Sequence, residues 1–122
     1  MKIEIWVKRQ QTQNEKPYIQ KFSYIGDGNL TVADWLIEVN QNEAKENRIA
    51  WECGCLEKKC GACAMLINGD PMLACSVFLK KAVRHGKIKL EPFQKFPLVK
   101  DLIVDRSMMF EVMKKMKLWL SE

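Results

Sequence analysis

Histidine is nearly missing from this chain: His85 is the single imidazole in 122 residues. A metal site that needs two imidazoles is therefore excluded, and so is a histidine-rich zinc site. His85 stands beside Gly86 and reads as a surface turn residue. Long apolar runs are missing too. None approaches the roughly 18 residues of a membrane span, so direct membrane insertion is not expected. Strand-like alternation begins at residue 3, which leaves no room for a cleavable leader and points to a reducing, cytoplasmic compartment. Nucleic-acid motifs are also lacking. The 20 Lys and Arg outnumber 15 Asp and Glu for a net charge of +5. The lysines at Lys80, Lys81, Lys87, Lys89, Lys114, Lys115 and Lys117 are dispersed, as on a solvated surface, and nucleic acid is not an expected partner.

What the chain does have is concentrated in one place. All five cysteines fall within WECGCLEKKCGACAMLINGDPMLAC, residues 51–75. Four of them, Cys55, Cys60, Cys63 and Cys75, read C-x4-C-x2-C-x11-C. Three thiolates on one tight loop and a fourth farther along can surround a small inorganic cluster, and this is the spacing of a plant-type 2Fe–2S site. Gly54 and Gly61 allow the sharp turns and close backbone approach that such a loop requires. Structural zinc sites bring two C-x2-4-C pairs, whereas one is present here; a structural metal domain with four cysteine ligands stays as the distant alternative. An odd cysteine count without a leader argues against a disulfide framework, and a Rieske centre needs two histidine ligands. Cys53 does not make the x4 spacing and reads as a free or packed thiol.

Around this loop the pattern is that of an α+β domain. Residues 2–9 alternate Ile3, Ile5 and Val7 with polar neighbours, as in a half-buried strand. A polar stretch with Pro17 reads as a hairpin loop, and residues 18–25 as a second strand with Tyr18, Gln20, Phe22 and Tyr24 on one side. Thr31 with Asp34 three residues later resembles a capping box. Val32, Trp35, Leu36 and Val39 follow at the spacing of one helix face. After the loop, AMLIN predicts a short strand, NGDP a turn, MLACSVFL a strand carrying Cys75, and KIKLEPF a closing strand. The loop is thus expected to be anchored on both sides by sheet. The class this predicts is a β-grasp, ferredoxin-like mixed sheet with one packed helix and a cluster-binding loop.

The stretch CGACAMLINGDPMLAC resembles the N-terminal domain of the iron–sulfur subunit of succinate dehydrogenase and fumarate reductase, with its C-x4-C-G-x-C-A-M-x-I-N-G loop ending in L-A-C. The segment EPFQKFPLVKDLIVDRSMMFE is similar to the family's P-x-x-x-D-L-x-V-D-x-S-x-x-F stretch. The resemblance implies one 2Fe–2S cluster on Cys55, Cys60, Cys63 and Cys75, and an FAD-containing flavoprotein partner that handles the dicarboxylate. It implies a cytoplasmic location, or one at the inner membrane face through a complex. The 2Fe–2S domains of molybdenum hydroxylases share a C-x4-C-G-A-C loop. They place the fourth cysteine farther away and follow it with more cysteines, whereas none follows Cys75 here.

Departures from the family pattern are also legible. The second domain of full-length subunits, with C-x2-C-x2-C-x3-C-P ligands for two further clusters, is not in these residues. Glu52 and Cys53 replace an arginine-rich lead-in, Lys58 and Lys59 stand where smaller residues are usual, and Ala62 where a serine often is. The domain is expected over 1–105, with a C-terminal helix extension over 106–122. Within it Met109, Val112, Met113, Met116 and Leu120 recur at helical spacing. Met116 and Trp119 are expected to contact another chain: the flavoprotein, a further electron carrier or a second copy. No catalytic acid, base or nucleophile is expected, and Asp101 and Asp105 read as carboxylates that satisfy the backbone of a wrapping segment. The expected function is a one-electron relay serving a fumarate reductase or succinate dehydrogenase flavoprotein, the alternative a free-standing ferredoxin.

Overall fold

The computed structural model describes residues 1–51, 63–94 and 98–104. The alternation at the start of the chain produces strand β1 (Lys2–Arg9), with Ile3, Ile5 and Val7 fully inside. Strand β2 (Tyr18–Ile25) returns antiparallel to it, from Arg9 opposite Tyr18 to Lys2 opposite Ile25. On the expected inner side of β2, Phe22 is buried, Gln20 and Tyr24 are half-buried, and Tyr18 is exposed at the strand end. Helix α1 (Val32–Gln41) starts where the sequence places it. Thr31 Oγ1 accepts a hydrogen bond from Asp34 N at 3.1 Å, and the Asp34 carboxylate accepts one from Thr31 N at 3.4 Å. This reciprocal cap removes two of the amide donors a helix start leaves unpaired. Val32, Trp35, Leu36 and Val39 turn inward together, and Trp35 meets Phe22 edge-on with ring centroids 5.4 Å apart.

The second half of the sheet is built around a tight hairpin. Strands β3 (Ala64–Ile67) and β4 (Asp70–Leu73) are joined by Asn68 and Gly69, both at positive φ. That two-residue turn matches the right-handed twist of the strands it joins. The chain continues through a four-residue helix, α2 (Leu79–Ala82), to strand β5 (Lys87–Glu91). β5 slots between β1, which it pairs in parallel, and β3, which it pairs antiparallel. The order is β2-β1-β5-β3-β4. One helix lying across one face of this mixed sheet gives the α+β, β-grasp architecture expected from the sequence. A separate two-stranded ladder joins β6 (Leu98–Lys100) to β7 (Ile103–Val104).

The predicted strand MLACSVFL ends early: β4 stops at Leu73, and Cys75 sits in a turn. Ser76 closes that turn, its amide and hydroxyl both donating to Leu73 O at 3.0 Å. The next carbonyls are taken by α1 rather than by a strand, with Ala33 N donating to Ala74 O and Val32 N to Val77 O, each at 2.9 Å. Sheet anchors the loop on one side among the described residues: β3 follows it, while residues 42–51, between α1 and the loop, form no strand. The boundary at 105/106 and the helix expected over 107–120 lie outside the described residues. Lysines that read as dispersed converge in space: the ammonium groups of Lys21, Lys87 and Lys89 lie 4.4, 4.5 and 5.6 Å from the centre of the Trp6 ring. Among the described residues no helix is long and apolar enough to cross a membrane.

Because the Thr31 side chain supplies the bond to Asp34 N, Thr31→Ala should cost about 1 kcal/mol of stability. Urea unfolding followed by tryptophan fluorescence checks it, with an unchanged denaturant slope expected.

Candidate metal centre

Two of the four predicted ligands, Cys63 and Cys75, lie in the described part of the structure; Cys55, Cys60 and the unassigned Cys53 lie outside it. The hairpin brings the two together. Ala64 faces Leu73 at the open end of β3–β4, and one step beyond this pair Ala74 N donates to Cys63 O at 3.2 Å. Cys63 is buried and Cys75 half-buried, both as free thiols. Burial pushes the Cys63 thiol above the usual range, and the Cys75 side chain pushes it the same way. The backbone amides of Cys75 and Ala74 oppose this and pull it down. Two cysteines brought together at the end of one hairpin, one of them buried, are placed as a pair of cluster ligands would be. The residues present fit an iron–sulfur cluster.

The turn that holds Cys75 is fixed against the N-terminus of α1 by a run of backbone bonds. Beyond the two already given, Leu79 N donates to Leu30 O at 2.9 Å and Lys80 N to Gly28 O at 3.1 Å. Gly28 has φ +74, and a Cβ there would lie 2.8 Å from the Lys80 side chain, so this close approach needs glycine.

The chain entering the loop is held differently, residue by residue. Asn40, in the last turn of α1, accepts from Ile49 N at 2.7 Å and donates to Ile49 O at 3.0 Å. Arg9, at the end of β1 and fully buried, donates through Nη2 to Asn47 O at 3.1 Å and Arg48 O at 3.0 Å. Its Nη1 donates to the Gln20 side chain. Its Nε lies 3.1 Å from Asp101 Oδ1 as an ion pair without hydrogen-bond alignment. Asp101 Oδ2 accepts from Ala50 N at 2.9 Å and Oδ1 from Gln10 N at 3.0 Å. The reading of Asp101 as a carboxylate that satisfies wrapped backbone matches these bonds. The role of Arg9 was missed. Its signal was faint: a charged residue on the inward phase of Ile3, Ile5 and Val7.

The fold and the paired cysteines define a ferredoxin-like iron–sulfur domain, and the comparisons with known proteins agree. A family model described as a 2Fe-2S iron-sulfur cluster binding domain matches residues 2–111. The chain belongs to that family, and its cofactor is one 2Fe–2S cluster. It is 37% identical over 123 aligned residues to the succinate dehydrogenase iron-sulfur subunit of Bacillus subtilis, covering 97% of this chain and 48% of that protein. To the fumarate reductase iron-sulfur subunit of Haemophilus influenzae it is 28% identical over 104 residues, covering 85% of this chain and 39% of that one. A chain of the Mycobacterium smegmatis Sdh1 complex in the apo form superposes with a TM-score of 0.79 at 22% identity, over 90% of this chain and 44% of that one, which supports the fold. The chain thus spans about half or less of these relatives.

If the spacing identifies the ligands, Cys63→Ala and Cys75→Ala each abolish cluster incorporation, and so do Cys55→Ala and Cys60→Ala. Cys53→Ala keeps it. Iron and acid-labile sulfide determined after anaerobic reconstitution distinguish the two outcomes.

Proposed function

We propose that the chain is an electron-transfer module holding its 2Fe–2S cluster on Cys55, Cys60, Cys63 and Cys75. Its partner would be an FAD-containing flavoprotein of the succinate dehydrogenase or fumarate reductase kind. The observation that carries this reading is the meeting of Cys63 and Cys75 at the open end of the β3–β4 hairpin, where Ala74 N donates to Cys63 O. When bound, the cluster supplies one-electron transfer. The chain's own residues do the rest. The cysteines hold the iron, and the hairpin and α1 keep the ligands in place. The choice of partner rests on the names of the relatives, which are iron-sulfur subunits of those two enzymes. The surplus of Met and Trp in the sequence of residues 107–120 is the proposed further contact to another chain.

The described part of the chain offers nothing for dicarboxylate chemistry. His85, on an exposed turn with Gly86, has no cysteine or carboxylate partner among the described residues. The purified, reconstituted protein should therefore be red-brown and paramagnetic when reduced, yet inert toward succinate and fumarate. Electrons should pass between it and succinate only when the flavoprotein is added, and affinity purification should bring down an FAD protein. Reversible reduction with no FAD protein captured would instead establish a free-standing ferredoxin. A colourless zinc protein would overturn the reading.

A further inference from the structure

We propose that Arg9 and Asp101 form a positioning pair for the cluster loop: a buried ion pair that fixes residues 47–50, from which the chain enters the ligand-bearing stretch. The inference deepens the proposed function and rests on its ligand reading. After Cys63 the chain continues as β3, whereas residues 47–51, ahead of the ligand-bearing stretch, belong to no strand or helix. Yet their backbone groups are taken in succession. Asn47 O and Arg48 O go to the Arg9 guanidinium, Ile49 N and O to Asn40, and Ala50 N to the Asp101 carboxylate. Ala50 O accepts from Leu102 N at 3.0 Å, so Ala50 is held through both its polar groups. Cys55 is five residues further on.

The pair is itself held from three directions. Arg9 is 0% exposed and Asp101 2%. The Asp101 backbone donates to Gln10 O at 2.9 Å while its carboxylate accepts from Gln10 N, a two-bond clasp on the end of β1. Asp101 also takes φ +45, a left-handed conformation that Asp and Asn tolerate better than other side chains. A buried residue in an unusual backbone state, tied to two separate segments, has its place decided by those ties. An exposed ion pair could not act this way, because water would compete for each of these groups. Among the described residues these groups have no alternative partner, so losing one member frees several backbone groups together.

The test uses the full chain with its cluster loaded. Asp101→Asn is the main variant, because Asn accepts the same backbone angles and shape while losing the charge. Arg9→Lys keeps the charge and removes the fork that spans Asn47 and Arg48. Ile3→Ala, in the core at the opposite end of β1 from Arg9, serves as a control of lowered stability. Iron release to a ferrous chelator should accelerate about tenfold in Asp101→Asn, as for other residues that orient metal ligands from behind. The electron paramagnetic resonance lines of its reduced cluster should broaden, reporting a spread of ligand geometries. Arg9→Lys should show the same effects, and the double variant should be no worse than Asp101→Asn alone. Ile3→Ala should show neither effect at temperatures below its unfolding. Wild-type release rates and line shapes in both pair variants would overturn the proposal and leave the pair as a stabiliser of the fold. If the wild type takes up no cluster, the ligand reading fails separately. The pair is then read in the apoprotein, where hydrogen exchange at Ile49 and Ala50 should speed up in Asp101→Asn but not in Ile3→Ala; equal exchange would overturn it.

Discussion

Much of this structure hangs on the backbone of one small residue. Ala74 is completely buried. Its amide donates to the carbonyl of Cys63, and its carbonyl accepts from Ala33 in the first turn of α1. Two peptide hydrogen bonds therefore join the strand that follows Cys63, the turn of Cys75 and the start of the helix. Each bond is worth only about 1 kcal/mol net. Their value lies in direction, because they leave Cys63 and Cys75 no freedom to separate without exposing buried peptide groups.

Helix α1 is the common reference for both sides of the loop. Its first turn binds the Cys75 turn through Val32 and Ala33, while its last turn binds Ile49 through the Asn40 amide. Between these ends, Trp35, Leu36 and Val39 fasten it to the sheet by apolar burial, which needs no exact direction. The division of labour is physical. Burial supplies most of the stability, and a few directed hydrogen bonds convert that stability into position. A site whose ligands are set by rigid elements and supporting hydrogen bonds holds its geometry better than one left to a free loop.

The readable parts of the sequence were those in which a single local rule acts alone. The inward phase of Ile3, Ile5 and Val7 and the Thr31–Asp34 cap each follow from a few neighbouring residues and are found where expected, while the turn expected over NGDP is narrower, with Asp70 and Pro71 already opening β4. The cysteine spacing was legible because ligand geometry is written in short intervals. Cys75 was misplaced on a strand because MLACSVFL has good strand composition, and local pattern cannot show that Val32 and Ala33 would claim its carbonyls. Arg9 was missed for the same reason. Its partners, Asn47, Arg48 and Asp101, lie far away in sequence, and only the fold makes them neighbours. The lysines around Trp6 come from β2 and β5 while the ring belongs to β1, so their convergence is likewise a product of strand order.

The buried charges raise the question of why an apolar contact does not stand there instead. Replacing a buried ion pair with well-packed hydrophobic groups is often neutral or stabilising. That exchange is closed here, because the charges face peptide groups as well as each other. Asn47 O, Arg48 O and the amides of Gln10 and Ala50 would be stranded beside hydrocarbon, each costing about 1–3 kcal/mol. The irregular path of residues 47–50 creates those groups, since a strand or helix would have satisfied them internally. Residues 47–50 lead toward the ligand-bearing stretch without regular structure, so their backbone needs partners from elsewhere. A guanidinium and a carboxylate reach several such groups at once, and that is the physical reason for charge in this part of the core.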